Sequence, residues 1–413
     1  MRYASRARRA DALVSQTPPL QAFAIAAPGF APFLADELRA LGITPNDVSD
    51  AGVAWSGTLD SVLQVNLWSR LASRVLVRLG TFVARDFATL EKQGARIPWT
   101  TVVAPGATVR FRVTCRKSRL YHSDAVAERL ARAVLKAVPS AVIQQGAKGV
   151  AEGDDDEGGD EAVQLVVVRF EHDQCTISAD SSGALLHRRG WRQAVAKAPL
   201  RETLAAAMLV ASGWTPDQAL VDPFCGSGTI GIEAALRARG IAPGLDRPMA
   251  MERWAGVTPA MVRAQRAAAR AAMHRGPIAP IVLSDRDAGA CEAARANAER
   301  AGVLSDVTII QRSLSDVELA AIAPRGLVLC NPPYGLRVSD GADLRSLFSR
   351  LGDVVRAGGS WSLGALVPDA RMLAPARMTT ERALATSNGG IRVGLFMARP
   401  RRSPARAHHD AAT

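Results

Sequence analysis

The most restrictive feature of this chain is the tetrapeptide Asn331-Pro332-Pro333-Tyr334, which directly follows the apolar run Gly326–Cys330. A short apolar run that ends at two prolines predicts a buried strand of a parallel sheet, and open α/β sheets bind ligands at the carboxyl ends of such strands. Asparagine and proline both offer carbonyl oxygens, and two such acceptors can hold both hydrogens of an exocyclic amine. Tyr334 adds a flat face on which a nucleobase can stack. This combination suits the N-methylation of a base amino group.

A second ligand-binding pattern surrounds a glycine turn. The apolar stretch Ala219–Val221 leads into Asp222, then into the turn Gly226–Thr229, then into the helical run Ile230–Ala238. The glycines let the backbone approach a ligand, and a helix N-terminus favours a carboxylate or a phosphate. We interpret the turn as lacking both the third glycine at dinucleotide spacing and the Gly-Lys-Ser/Thr sequence of a P-loop, which argues against NAD and ATP.

Two further strands follow the glycine turn. Strand Pro280–Leu283 leads to Asp285, which is positioned to bind ribose hydroxyls, and Asp287 is the expected N-cap of helix Ala288–Ala301. Strand Val307–Ile310 comes next, ahead of the strand that carries the tetrapeptide. Because the glycine turn, the second acid and the tetrapeptide all follow strands of one sheet, we expect them to converge on one crevice.

The elements predicted in the first half of the chain indicate a small α+β unit. From Pro199 onward, helices and strands alternate, which predicts a doubly wound parallel sheet. A Gly/acid run at residues 152–161 is expected to be a solvated loop. The elements predicted in the first half are strand Phe23–Ala27, helices Ala31–Leu41 and Leu59–Leu79, strand Val109–Thr114, helix Ala125–Val138, and strands Val163–Phe170 and Cys175–Ala179.

Composition sets limits on the partners and on the compartment. The 413 residues predict two or three domains, and the net charge of +12 with a pI near 10.3 favours a polyanionic partner. Arginine greatly outnumbers lysine, so a bias of the coding sequence is the alternative explanation of the charge. The five cysteines are widely spaced, the histidines have no metal-ligand spacing, and no apolar stretch is long enough for a bilayer. We therefore expect a cytoplasmic protein without a metal.

With these motifs in place, the chain resembles the THUMP-domain guanine-N2 RNA methyltransferases, a family of the class I S-adenosylmethionine (SAM) superfamily. The resemblance covers roughly residues 20 to 400, and Ile241–Leu245 is similar to the branch that acts on large-subunit ribosomal RNA. Besides the glycine turn and the tetrapeptide, it depends on the segments Ala27–Phe30, Leu34–Leu38, Trp68–Arg74, Ser181–Arg192 and Ala198–Ala205.

The resemblance implies a Rossmann-like α/β methyltransferase domain preceded by an α+β ferredoxin-like and THUMP RNA-binding module. The expected activity is SAM-dependent methylation of guanine N2, in large-subunit ribosomal RNA or alternatively in tRNA, by a monomer. An adenine-N6 methyltransferase and a non-catalytic RNA-binding ribosome-assembly factor remain alternatives. The implied segments are a basic arm at 1–20, a ferredoxin-like part at 21–65, THUMP at 66–182, the methyltransferase domain at 183–400 and a basic tail at 401–413.

The resemblance also assigns site residues by position. Asn331 and the Pro332 carbonyl, with Pro333, hold the guanine amine, and Tyr334 stacks on the base. Asp222 and the glycine turn hold the methionine end of SAM, and Asp285 binds its ribose. The family's adenine-contacting acid is replaced by Gln311-Arg312-Ser313-Leu314, so Ser313, Asp316 or backbone groups are expected to contact the adenine. The remaining cofactor-binding assignments are Phe224, Cys225, Gly226, Ser227, Gly228, Thr229, Arg286, Pro199 and Thr203. The RNA-binding assignments are Arg116, Lys117, Arg119, Arg188, Arg189 and Arg192.

Overall fold

The computed structural model describes residues 19–144, 163–193, 200–334 and 344–399. The elements of the first half are β1 (Leu20–Ala26), α1 (Ala31–Ala40), β2 (Pro45–Ser49), β3 (Gly52–Gly57), α2 (Leu59–Trp68), β4 (Ala72–Val83), α3 (Phe87–Gly94), β5 (Thr108–Arg116), α4 (Ser123–Ala137), β6 (Val142–Gln144), β7 (Val163–Glu171) and β8 (Gln174–Asp180). The strands form one eight-stranded sheet in the order β2-β3-β1-β4-β8-β7-β5-β6. β5 is parallel to β6 and β7, and the other pairs are antiparallel.

The second half forms a separate seven-stranded sheet in the order β11-β10-β9-β12-β13-β15-β14. Its elements are α5 (Glu202–Ala211), β9 (Ala219–Asp222), α6 (Thr229–Ala238), α7 (Pro259–Ala271), β10 (Ile281–Asp285), α8 (Ala288–Arg300), β11 (Thr308–Gln311), α9 (Leu319–Ile322), β12 (Arg325–Cys330), α10 (Leu344–Ala357), β13 (Ser360–Val367), β14 (Thr379–Asn388) and β15 (Ile391–Arg399). β15 is antiparallel to both β13 and β14, and the other described pairs of this sheet are parallel. The predicted doubly wound, mostly parallel sheet is confirmed.

One predicted helix is wrong in its second half. The helical spacing at residues 59–79 continues past Trp68, but α2 ends there because Ser69 adopts an extended backbone (φ −67°, ψ 125°). The following residues form β4, which is held between β1 and β8. β-Branched Val75 and Val77 suit this central strand, so tertiary pairing overrides the local helical pattern.

The predicted boundary between residues 65 and 66 falls inside α2, and β1 pairs directly with β4. The two N-terminal parts predicted from sequence therefore share one continuous sheet. The boundary predicted at 182/183 lies in the connection between β8 and α5. No helix in the described ranges is both long and apolar enough to cross a membrane.

A buried polar seam joins the two halves. Nη2 of Arg189 donates to the Arg70 carbonyl at 2.7 Å, and Nε of Arg189 donates to Glu233 Oε1 of α6 at 3.3 Å. Arg247 Nη1 donates to the carbonyl of Ala184 at 3.0 Å. Because buried charges are tolerated only when they are paired, these contacts fix how the two halves meet.

Candidate active site

The carboxyl ends of β9, β10 and β12 lie at the same edge of the second sheet, because these strands are adjacent and parallel. The Gly226 amide donates to Asp285 Oδ2 at 3.0 Å, so the turn after β9 directly contacts the acid that ends β10. The predicted convergence of the glycine turn and the second acid is confirmed.

The backbone of the glycine turn needs glycine at two positions. Gly226 (φ +51°) and Gly228 (φ +84°) both occupy the left-handed region that side chains disfavour. A Cβ added to Gly226 would meet no heavy atom within 4 Å, so the space beside this residue is open. A Cβ added to Gly228 would lie 3.0 Å from the Ala294 side chain. One glycine therefore leaves room for a ligand, and the other lets α8 approach.

The interpretation that the turn lacks a third glycine at dinucleotide spacing is wrong, because Gly231 supplies it. With Gly226 and Gly228 it completes the spacing Gly-x-Gly-x-x-Gly, which is also the dinucleotide fingerprint. A Cβ at Gly231 would lie only 2.1 Å from Leu283 Cδ2 of β10. The third glycine thus brings α6 close to the sheet, and the spacing alone does not distinguish SAM from a dinucleotide.

Asp222 is buried at the bottom of the crevice, with 2% of its surface exposed. Its Oδ1 accepts a hydrogen bond from the Phe224 amide at 3.1 Å. Burial raises the pKa of Asp222 to about 8, and the neighbouring charge of Asp285 adds to the rise. A cationic ligand group beside this carboxyl would restore its ionised form.

Asp285 and Asp287 make different contacts. Asp285 Oδ1 accepts from the Asp287 amide at 3.1 Å while its Oδ2 holds Gly226, which leaves lone pairs on both oxygens for a ligand. Asp287 Oδ1 accepts from the Gly289 amide at 2.8 Å, and the predicted N-cap of α8 is confirmed. Arg286 is exposed, and its carbonyl accepts from Gln311 Nε2 at 3.3 Å.

At the end of β11, Ser313 is exposed and its hydroxyl accepts a hydrogen bond from the Ser315 amide at 3.3 Å. Asp316 is also exposed. The neighbouring Arg312 has two buried guanidinium nitrogens, Nε and Nη2, with no hydrogen-bond partner in the described part of the chain. Desolvation lowers the pKa of Arg312, and the charge of Asp316 opposes that shift.

The Asn331 side chain presents an unsatisfied acceptor after β12. Its Oδ1 is buried and accepts no hydrogen bond in the described ranges. Because buried carbonyl oxygens are nearly always paired, this oxygen indicates a missing donor, such as an amine hydrogen.

Tyr334 does not present its ring to solvent in this structure. The side chain is 1% exposed, and its hydroxyl accepts a hydrogen bond from Asn388 Nδ2 at 2.9 Å. Stacking on a base would therefore require this loop to move. Asn388 ends β14 and is 54 residues away in the sequence, so no local pattern indicated this contact.

Comparison with known proteins identifies the family. A model described as "RMKL-like, methyltransferase domain" matches residues 189–393, and a model of the RlmL ferredoxin-like domain matches residues 21–76. A putative RNA methyltransferase of Synechocystis sp., slr0064, is 31% identical over 335 residues, which cover 81% of this chain and 84% of that protein. The chain belongs to the RMKL-like methyltransferase family.

Two further proteins are similar to this methyltransferase over most of its length. It is 37% identical over 350 residues to the ribosomal RNA large subunit methyltransferase K/L of Syntrophotalea carbinolica, which covers 82% of this chain and 47% of that protein. The chain spans about half the length of such curated relatives. The solved structure of SMU.472, a putative methyltransferase complexed with SAH, has 27% identity and a TM-score of 0.81, and the alignment covers 94% of this chain and all of that one.

The cofactor of the methyltransferase is SAM, as expected from the sequence. Two observations on the crevice fit it. The buried Asp222 carboxyl suits the ammonium group of the methionine end, and the open space beside Gly226 leaves room for the ligand backbone. We assign the adenosine ribose to Asp285 as a proposal, because this carboxylate borders the same space.

The other predicted cofactor residues surround the crevice with different exposures. Cys225, Ser227, Thr229 and Thr203 are buried, and Phe224 is half-buried. The Cys225 amide donates to the Ser284 carbonyl at 3.0 Å, and the Ser227 carbonyl accepts from Asn297 Nδ2 at 3.0 Å, so both contribute backbone groups to the turn. Pro199 lies outside the described residues.

The predicted basic RNA surface is wrong at two positions. Arg189 belongs to the buried seam, where its side chain is 2% exposed. Arg192 is also turned inward: its Nη2 lies 3.0 Å from Glu202 Oε2, and its Nη1 donates to the Leu200 carbonyl at 2.6 Å. The sequence shows that both residues are cationic, but it does not show that acceptor groups inside the protein bind them.

The remaining predicted RNA contacts stay predictions. Arg116, Lys117 and Arg119 are exposed in the loop that follows β5, and Arg188 is half-buried. The acidic run 152–161 lies outside the described residues.

Proposed function

We propose that this chain is a SAM-dependent RNA methyltransferase that methylates the exocyclic N2 amine of a guanine in large-subunit ribosomal RNA. The observation that carries the proposal is the buried Oδ1 of Asn331, which has no hydrogen-bond partner among the described residues and lies at the sheet edge that also holds the glycine turn and Asp222. The names of the curated relatives support ribosomal RNA as the substrate.

The chemistry follows from how Asn331 and Pro332 would hold the amine. The lone pair of a guanine amine is delocalised into the ring, which makes the nitrogen a poor nucleophile. If Asn331 Oδ1 and the Pro332 carbonyl each accept one N–H hydrogen, the nitrogen becomes more tetrahedral and its lone pair is directed out of the ring plane. SAM, when bound, supplies an electrophilic methyl carbon on a sulfonium. The residues then act by positioning and electrostatics, with little need for a strong general base.

The base must leave its stack to reach these acceptors, and unstacking costs about a few kcal/mol. The exposed cations Arg116, Lys117 and Arg119 offset part of that cost by contacting RNA phosphates. Binding should therefore weaken steeply as salt rises.

Transfer to RNA tests the proposal directly. The purified chain is incubated with labelled SAM and a large-subunit ribosomal RNA transcript, and the digested nucleosides are identified by mass spectrometry. N2-methylguanosine is expected, and Asn331→Ala should abolish it while leaving the Kd for SAM nearly unchanged. Asn46→Ala, which alters an exposed asparagine of β2, is the matched control.

Each alternative function would give a different result in this experiment. N6-methyladenosine would show that the amine belongs to adenine. Methylation of a tRNA transcript in preference to ribosomal RNA would change the substrate. Full transfer by Asn331→Ala would refute the role of the Asn331 carbonyl, and a chain that binds RNA but not SAM would be an assembly factor.

A further inference from the structure

Residues 116–122, from the last residue of β5 to the start of α4, form a basic–aromatic loop that is hydrogen-bonded to the β7–β8 hairpin. The Ser118 hydroxyl donates to the Arg116 carbonyl at 2.8 Å and accepts from the Asp173 amide at 3.0 Å. The Arg119 amide donates to Asp173 Oδ1 at 2.7 Å. Leu120 is buried beneath the loop, which leaves the residues on either side facing outward.

Tyr121 in this basic–aromatic loop is 67% exposed. It is the one aromatic ring among the large apolar side chains exposed in the described part of the chain. Its ring lies 4.1 Å from the ring of the exposed His122, at an interplanar angle of 40°. An exposed aromatic ring offers a flat face on which a nucleobase can stack.

The charged side chains of residues 116–122 are all cationic, and the exposed acid Asp124 follows at the start of α4. Arg116, Lys117 and Arg119 are exposed within the same seven residues. The nearby Asp173 carboxylate already accepts the Arg119 amide, and its Oδ2 lies 3.4 Å from Arg85. Cations beside an open ring match a nucleotide, whose phosphate binds the cations and whose base stacks on the ring.

We propose that the basic–aromatic loop binds a single-stranded segment of the RNA substrate, with an unpaired base stacked on Tyr121. This inference rests on the proposed function and adds a recognition site outside the catalytic crevice. A paired base in a helix is already stacked on its neighbours and its face is not accessible, so the loop selects bulges, loops or ends of the RNA.

Two RNA probes of equal length and similar composition test the site: a single strand without self-complementarity and a fully paired duplex. Tyr121→Ala should weaken binding of the single strand by about 5- to 100-fold, because a stacked base contributes about 1–3 kcal/mol, and should leave duplex binding unchanged. Tyr121→Phe keeps the ring and should bind like the wild type. Leu304→Ala, an exposed apolar residue of the methyltransferase domain, is the matched control.

Lys117→Ala separates charge from stacking, since it should weaken both probes and reduce the salt dependence by about one phosphate contact. SAM affinity should stay at the wild-type value in every variant, which verifies the fold. Equal loss on both probes in Tyr121→Ala, or no loss, would overturn the stacking site while leaving the proposed methylation intact. A wild-type chain that binds neither probe and methylates no RNA would overturn both.

Discussion

The raised pKa of Asp222 makes a quantitative prediction about SAM binding. In the free protein the buried carboxyl has a pKa of about 8, so it is mostly protonated at neutral pH. If the Asp222 carboxylate binds the ammonium of SAM, as we predict from the sequence, binding expels this proton and the affinity should rise with pH. The ionised fraction is roughly 1% at pH 6 and roughly 9% at pH 7, so the Kd should fall about ninefold between them.

The direction changes near pH 8, because an α-amino group has a pKa of roughly 7.7–8.0 and SAM then loses its positive charge. The affinity should therefore level off or decline above pH 8. Buried Glu202, whose pKa is raised to about 7 mainly by desolvation, titrates in the same range. Asp222→Asn distinguishes the two groups, because it removes the pH dependence only if Asp222 causes it.

Isothermal titration calorimetry between pH 6 and pH 8.5 measures both the Kd and the number of protons released. 5′-Methylthioadenosine, which lacks the amino-acid portion, should bind the wild type with little pH dependence. A Kd for SAM that is flat between pH 6 and pH 7, or an unchanged slope in Asp222→Asn, would refute the assignment of the methionine end to Asp222.

Three further changes have defined outcomes. Gly231→Ala forces a Cβ into the side chains of β10 and should reduce the free energy of unfolding by about 1–3 kcal/mol in urea titrations, without a change in m. Arg189→Ala leaves buried Glu233 short of one partner and should cost about 3 kcal/mol in the same assay, at the low end for a broken buried pair because another arginine still faces Glu233. Asn388→Ala removes the hydrogen bond to Tyr334 and should slow single-turnover transfer about fivefold with an unchanged Kd for SAM, since a neutral hydrogen bond contributes about 1 kcal/mol. Tyr334→Phe should cause a similar loss, and the double variant should lose no more than either single variant if the effect comes from this hydrogen bond. Additive losses in the double variant would contradict that assignment.

The sheet of the catalytic half could be predicted because its ligand-binding residues follow short apolar strands. Asp222, Asp285 and Asn331 each mark a strand end, and parallel pairing alone brings such ends together. Gly231 could have been found by counting the glycine spacing. By contrast, β4 follows a helix with the same apolar spacing, and only its pairing with β1 and β8 decides the conformation.

Contacts between side chains that are far apart in the chain could not be predicted from one sequence. The burial of Arg189 depends on Glu233, 44 residues later on another element, and an arginine among other arginines resembles a surface patch until its partner is located. Tyr334 was expected to present its ring, but Asn388 from the last hairpin holds its hydroxyl. In both cases the local composition predicted an exposed side chain, but tertiary hydrogen bonds hold the side chain in the interior.

The seam of Arg189, Arg70 and Glu233 has a mechanical consequence for substrate choice. Rotation of one half against the other would have to separate the Arg70 guanidinium from the buried Glu233 carboxylate and break the hydrogen bond from Arg189 to the Arg70 carbonyl, which is far more costly than bending a solvated linker. The two halves therefore keep a constant distance and orientation relative to each other. If the front half binds the RNA, as we propose, only a nucleotide at the matching distance reaches the crevice, so architecture as well as base identity would select the methylated position.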